Sequence, residues 1–285
     1  MENSTHLMHG KICVVTGATS GIGLVTAQAL ARQGATLIVV ARHGERGAAT
    51  VRRIQQETGN SAVELMVADL SAQAQVRRLA SEIQQRFVRL DVLVNNAGAL
   101  FSRRQLSVDG LEMTLALNHL AYFLLTNLLI PPMQAAGSAR IVNVSSEAHR
   151  RARLDFAELQ GQHRYSGWRA YARSKLANIL FTYELARRLE GTGIVANALH
   201  PGFVATNFGR NTRSIVSALM RILQLAAISP EEGAETIIYL ASSSEIKGVT
   251  GEYFVKQKAA RSSQVSYDRT AAERLWQVSA ELTGM

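Results

Sequence analysis

The chain has one cysteine in 285 residues, Cys13, so no internal disulfide can form. It stands in the apolar run Ile12-Cys13-Val14-Val15 and reads as a small buried hydrophobe. Lysine is scarce: there are five, against 26 arginines, in a chain of formal net charge +9. The arginines are scattered, often as pairs such as Arg52-Arg53 and Arg187-Arg188, with one denser cluster at Arg150, Arg151 and Arg153. No nucleic-acid reading motif accompanies them, so the charge reads as solvated helix faces and no nucleic-acid partner is expected. Contact with an anionic membrane surface stays open. Long apolar runs are missing as well. The longest, Leu120 to Ile130, falls short of the ~20 residues that span a bilayer. Met1 to Gly10 holds no apolar signal-peptide segment, and a cytoplasmic protein without a transmembrane span is expected. No repeat, low-complexity tract or linker divides the chain, and no metal site is read. One domain over 1–285 is expected, folded and globular on 19% charged and 47% hydrophobic residues.

What is present begins with Tyr171-Ala-Arg-Ser-Lys175. Trp168 to Leu189 carries apolar residues at helical spacing, which puts Tyr171 and Lys175 on one face, one turn apart. A tyrosine ionises near pH ~10, and an ammonium beside it favours the phenolate. The pair can then pass a proton to or from a substrate hydroxyl. In isolation the pattern is weak, since a surface tyrosine near a solvated lysine is commoner. Of the seven tyrosines, however, only Tyr171 has a lysine four residues on.

The chain before it supplies a context. Lys11 to Thr16 is a β-rich run followed by Gly17-Ala-Thr-Ser-Gly21-Ile-Gly23, a helix-period segment, and a second strand from Thr36 to Val40. Strand, glycine turn, helix and strand are what a dinucleotide site needs: the glycines admit a pyrophosphate, and the helix start offers free N–H groups. An acidic residue at the end of the second strand would favour NAD. Ala41-Arg42-His43 stands there instead, and a cation suits a 2′-phosphate, so NADP(H) is favoured over NAD(H). Asp69 closes a third strand, where its carboxylate could reach an adenine amino group, and Asn95-Asn96-Ala97-Gly98 follows a fourth. Asn118 lies in a long apolar helix expected to stop at Pro131-Pro132, and as a polar amide there it needs partners. Ser145-Ser146 stands at the C-terminal end of a fifth strand, where open α/β sheets place ligands. A loop of about twenty residues follows, long enough to suggest function. The sixth strand ends at His200-Pro201-Gly202, and a final strand is expected from Thr250 to Val255. Ser214 to Ile228 is mostly apolar and is expected to form a substrate lid, within 203–229, with an ordinary core or dimer helix as the alternative.

Taken together, the chain resembles the short-chain dehydrogenase/reductase family. The residues that carry the resemblance are Thr16 to Gly23, Asp69, Asn95 to Gly98, Asn118, Ser146, Tyr171-x-x-x-Lys175 and Pro201-Gly202. It is most similar to the retinol dehydrogenase-like branch, through Asn118-His119-Leu120, Val142 to Ser146 with His149, Ser174 to Phe181, Gly251 to Phe254 and Ala272 to Trp276. The N-terminal membrane anchor of many such enzymes has no counterpart in this sequence. The resemblance implies an α/β fold: one Rossmann-type doubly wound domain, with a seven-stranded, mainly parallel sheet flanked by helices on both faces. It implies hydride transfer between an alcohol and an aldehyde or ketone. Tyr171 would be the proton donor and acceptor, and Ser146 would share with it the binding of the substrate oxygen. Lys175 would lower the Tyr171 pKa and hold the nicotinamide ribose, and Asn118 would hold a water linking Lys175 to solvent. The cofactor would lie along Gly17, Thr19, Ser20, Gly21, Ile22, Gly23, Arg42, Asp69, Leu70, Asn96, Ala97 and Gly98. It would continue past Tyr171 and Lys175 to Pro201, Gly202, Val204 and Thr206. An apolar lid argues for a lipophilic small-molecule substrate such as a retinoid or long-chain aldehyde. The helices around Asn118 and Tyr171 would serve a homodimer or homotetramer. Two rivals remain open: a non-catalytic NADP(H) sensor on the same fold, and a sugar-nucleotide epimerase or dehydratase.

Overall fold

The computed structural model of the protein describes residues 7–202 and 228–285. Val204, Thr206 and nearly all of the expected lid lie outside the described residues. Seven strands run parallel: β1 (Ile12–Thr16), β2 (Thr36–Ala41), β3 (Val63–Val67), β4 (Val92–Asn95), β5 (Ala139–Val144), β6 (Ile194–His200) and β7 (Tyr253–Val255). These seven lie in the order β3-β2-β1-β4-β5-β6-β7, so the chain reverses direction of growth between β1 and β4. That switch point opens a crevice above the C-terminal strand ends.

The expected sheet of seven strands has an eighth, β8 (Lys258–Ala259), which pairs antiparallel with β7. Its two-residue turn holds Lys256 and Gln257 at φ 49° and 62°. Such turns usually carry Asn or Gly, and Lys-Gln gives no such signal.

Seven helices are described: α1 (Gly21–Arg32), α2 (Gly44–Thr58), α3 (Gln73–Arg86), α4 (Met113–Ala135), α5 (Gly167–Arg188), α6 (Pro230–Ser242) and α7 (Arg269–Thr283). The inner strands are buried on both faces, and their side chains alternate between two layers. Val14, Ile38 and Leu93 face α3, α4 and α5 with Leu79, Ile83, Phe123 and Phe181. Cys13, Val15, Leu37 and Val94 face the other way, toward Leu30, Ile54, Ile237 and Leu240 of α1, α2 and α6. Cys13 is fully buried, and burial pushes its thiol pKa up.

α4 is long and apolar enough to cross a membrane by length and composition, with mean hydropathy 1.5 over an 18-residue stretch, yet 72% of that stretch is buried inside the fold. It does not stop at Pro131-Pro132 as expected but runs on to Ala135. Pro132 has no N–H for the Leu128 carbonyl, and Gln84 Nε2 of α3 donates to that oxygen at 2.5 Å instead. A neighbouring helix thus repairs the defect that the sequence predicts as a stop.

No helix is placed after Val255 in the sequence reading, but α7 forms there. Its Trp276 ring lies 5.0 Å from Phe123, 5.8 Å from Phe181 and 4.2 Å from the Arg188 guanidinium. With this cover, 17 of the 22 residues of α5 are buried within one chain. Outer surface of α4 and α5, expected to meet a second copy, therefore carries α7 of the same chain.

Candidate active site

Ser146, Tyr171, Lys175 and Asn118 converge at the C-terminal ends of β4 and β5. Ser146 follows β5 and caps a short 3-10 turn, Glu147–Arg151, its Oγ accepting from the Ala148 N–H at 3.2 Å. Tyr171 and Lys175 stand one turn apart on α5, both buried. Lys175 Nζ donates to the Val144 carbonyl at 2.9 Å and lies 5.6 Å from the centre of the Tyr171 ring. Ser145 Oγ donates to the Lys175 carbonyl at 2.8 Å, which ties α5 to the end of β5.

Asn118 sits in a π-helical turn, Ala116–Leu120, inside α4. Such widened turns are rare and recur at functional sites. Its Oδ1 accepts from Ala99 N–H at 2.9 Å, and its Nδ2 donates to the Ala99 carbonyl at 2.9 Å and to Ser174 Oγ at 3.1 Å. Both amide hydrogens are thus committed to the protein. The side chain anchors the 96–99 turn to α5, and a water of the kind expected would have to bind another atom. A Cβ on Gly98 would lie 3.2 Å from Asn118 Oδ1 and 3.5 Å from Lys175 Nζ, so the small residue keeps this trough open.

The protonation states differ from the expected pattern. Burial pushes the Tyr171 phenol up to about 12, against a smaller lowering by its hydrogen bond with Ser146. Burial also pulls Lys175 down to about 7. Burial is the larger influence on the phenol. Removing a lysine from water costs its charge, so only a partly protonated amine faces the phenol.

The glycine turn lies where the sequence puts it. Gly17 is at φ +66° and Gly21 at φ +55°, conformations that disfavour any other residue. A Cβ on Gly23 would fall 2.5 Å from the Gly17 carbonyl oxygen. Asn96 Nδ2 donates to the Thr16 carbonyl at 2.8 Å, while the Asn96 N–H donates to Thr16 Oγ1 at 2.9 Å. Asn96 therefore braces the turn with its side chain, and Ala97 and Gly98 line the floor. Thr19 and Ile22 are half-buried, and Ser20 is exposed and offers α1 no side-chain cap. Arg42 is exposed at the end of β2, donating from Nε to His43 Nε2 at 3.1 Å. Asp69 uses Oδ1 to accept from the Ser71 N–H and hydroxyl at 2.9 and 2.7 Å, while Leu70 packs into the core. A Cβ on Gly202 would lie 3.3 Å from Ile228 Cγ1, so the chain returns beside the point where Pro201-Gly202 leaves the sheet.

The family model for short chain dehydrogenases matches residues 11–216. The chain belongs to the short-chain dehydrogenase family. It is 43% identical to human retinol dehydrogenase 14, over 98% of this chain and 88% of that one. It is 42% identical to human retinol dehydrogenase 13, over 97% and 85%. Among solved structures, one of an uncharacterised protein of Mycobacterium paratuberculosis superposes with TM-score 0.81 at 34% identity, over 99% and 96% of the two chains. A Pseudomonas aeruginosa RhlG/NADP active-site complex superposes with TM-score 0.70 at 30% identity, over 89% and 97%. This short-chain dehydrogenase is an oxidoreductase acting on CH–OH and C=O groups, and it is retinol dehydrogenase-like.

A nicotinamide dinucleotide fits the residues present in this dehydrogenase: a glycine turn at the switch point, an uncapped start of α1, and the trough kept open at Gly98. An amide of the Asn95-Asn96 pair that braces neighbouring strands can be expected from the motif, but the rest of the support behind the site, Thr126, Asn143 and Thr182, cannot. Asn95 Nδ2 donates at 2.9 Å to both Thr126 Oγ1 and Asn143 Oδ1, and Asn143 Nδ2 to Thr182 Oγ1 at 3.0 Å. That buried chain joins α4, β4, β5 and α5. Polar residues at strand positions inside apolar runs are the signal that could have marked it.

Proposed function

We propose that this dehydrogenase interconverts a lipophilic alcohol with its aldehyde or ketone, using NADP(H), and that Tyr171 handles the proton. The observation that carries the reading is the buried Tyr171, hydrogen-bonded to Ser146, one turn from a buried Lys175. A bound nicotinamide supplies or accepts the hydride. Ser146 Oγ holds the substrate oxygen beside the phenol. With a pKa near 12 the phenol is protonated at neutral pH and ready to donate as the carbonyl is reduced. In oxidation the phenol must lose its proton, and the ammonium form of Lys175 favours that. Asn118 keeps the trough in register by fixing Ala99 and Ser174.

NADP(H) is supported by Arg42, exposed and without a carboxylate partner among the described residues, where a 2′-phosphate would need a cation. A lipophilic substrate is supported by the retinol dehydrogenase relatives and by the apolar wall near Tyr171, made of Leu100, Ala152, Leu154 and Phe156. The same reading takes the enzyme as cytoplasmic, able to touch membranes at its surface. A homodimer or homotetramer would use a surface other than the one α7 covers.

The test is the rate of NADPH oxidation, with NADH in parallel, over carbonyls from short aldehydes to long-chain aldehydes and all-trans-retinal. Turnover with NADPH that rises with chain length is expected. Tyr171→Phe should keep NADPH binding and lose roughly 10²–10⁴-fold in kcat. Full activity in that variant would remove Tyr171 from the chemistry, and a preference for NADH would overturn the role of Arg42. NADPH binding with no turnover of any carbonyl would favour a sensor.

A further inference from the structure

We propose that His149 is a positioning residue that sets the orientation of Ser146, and that it does so as one fixed neutral tautomer. The proposal rests on the reading of Ser146 as the residue that holds the substrate oxygen. His149 is fully buried in the 3-10 turn after β5. Its Nδ1 lies 2.7 Å from the Ser146 carbonyl oxygen, and its Nε2 lies 3.0 Å from the Ser263 backbone nitrogen. A carbonyl can only accept, so Nδ1 carries the proton. A backbone N–H can only donate, so Nε2 presents its lone pair. Both ring nitrogens are used, and the neighbours dictate which one is protonated.

The imidazole therefore spans from the Ser146 peptide to a segment more than a hundred residues later. Its ring meets the Tyr253 ring edge-on at 5.1 Å, and the Tyr253 hydroxyl donates to Glu147 Oε1 at 2.9 Å. Arg150 adds a bond to the Arg261 carbonyl at 2.7 Å. The turn 146–150 is thus held by the chain between 253 and 263. The irregular stretch that follows, 152–166, belongs to neither a strand nor an α-helix. Ser146 Oγ is already bonded to the Ala148 N–H within the turn, so the orientation of the turn fixes where Oγ stands relative to Tyr171. Losing the imidazole bond leaves the Ser146 carbonyl held only by the His149 backbone N–H at 3.1 Å, and unties the turn from Ser263, so the Ser146 peptide is held less firmly. A displacement of about 1 Å in a positioned catalytic group can cost on the order of 10²-fold in rate.

Three substitutions separate positioning from packing. His149→Asn retains an N–H donor near the Nδ1 position. His149→Gln retains an acceptor near the Nε2 position and loses the donor to Ser146. His149→Phe keeps a ring and loses both bonds. Each is assayed for kcat, KM, NADPH affinity by fluorescence titration, and thermal unfolding, using whichever carbonyl the wild type turns over best. Expected is a kcat loss of roughly 10- to 100-fold in His149→Gln and His149→Phe, with NADPH affinity unchanged, and substantial recovery in His149→Asn. In a Ser146→Ala background, His149→Gln should cause no further loss in kcat, because its effect passes through Ser146. Equal kcat in His149→Gln and His149→Asn, or additive losses in the double variant, would overturn the proposal. If Ser146→Ala alone keeps full kcat, the reading of Ser146 fails first. If it loses kcat while folded His149→Gln does not, the positioning role alone fails.

Discussion

At the scale of single residues, burial governs the ionisable groups of the site. Tyr171 is raised to about 12 and Lys175 lowered to about 7, each by loss of water around its charged form. The lysine has a consequence for stability. Its folded pKa lies below its ordinary 10.5, so between these values the unfolded chain binds more protons than the folded one. The contribution of Lys175 to stability then rises with pH from about 7 towards the ordinary lysine value of 10.5. In Lys175→Met this rise should disappear between pH 7 and 9, a difference of about 2–3 kcal/mol in urea unfolding over the two pH units. An unchanged pH slope in the variant would show that Lys175 is charged in the folded protein. His119 follows the same rule away from the chemistry: fully buried, bonded to Ser279 Oγ at 2.8 Å, and pulled down to about 4, it serves the fold as a neutral group.

At the scale of elements, close approach decides what each turn and helix can do. The glycine turn packs so tightly that a methyl group on Gly23 would strike the Gly17 carbonyl and the Asn96 amide. Gly23→Ala should therefore open the turn, weaken NADPH binding at least ~10-fold, and lower stability by about 1–3 kcal/mol. Fluorescence titration and thermal unfolding read these separately. Wild-type NADPH affinity in a folded variant would mean that the turn is not the phosphate cradle. α4 shows the same principle in reverse. Its prolines do not end it, because Gln84 completes the bond that Pro132 cannot make. Its π-helical turn places Asn118 against Ala99 and Ser174 together.

At the scale of the whole molecule, the C-terminal helix closes the core. Trp276 of α7 packs between Phe123 of α4 and Phe181 of α5, with Arg188 over its ring. Ser279, one turn on, reaches His119 in the π-helical turn of α4. Trp276→Ala should cost about 2–4 kcal/mol and loosen α5, the helix that carries Tyr171. Denaturant unfolding gives the cost, and hydrogen exchange along Gly167–Arg188 gives the loosening. A loss below about 0.5 kcal/mol, within the range of ordinary surface changes, would reduce α7 to a surface appendage.

The sequence by itself determined the parallel sheet, the glycine turn, and the order of Asn118, Ser146, Tyr171 and Lys175 along the chain. These are local signals: apolar runs of strand length, glycines between strand and helix, and two side chains one helical turn apart. Only the tertiary structure decided that α4 continues through Pro131-Pro132, because the donor that permits it comes from another helix. It also decided that Asn118 spends its amide hydrogens on Ala99 and Ser174, and that His149 joins Ser146 to Ser263. The phenol pKa belongs to the same class. Sequence places a lysine one turn from Tyr171, but only the folded chain shows that both are buried, and burial outweighs the charge of a lysine that is itself short of water.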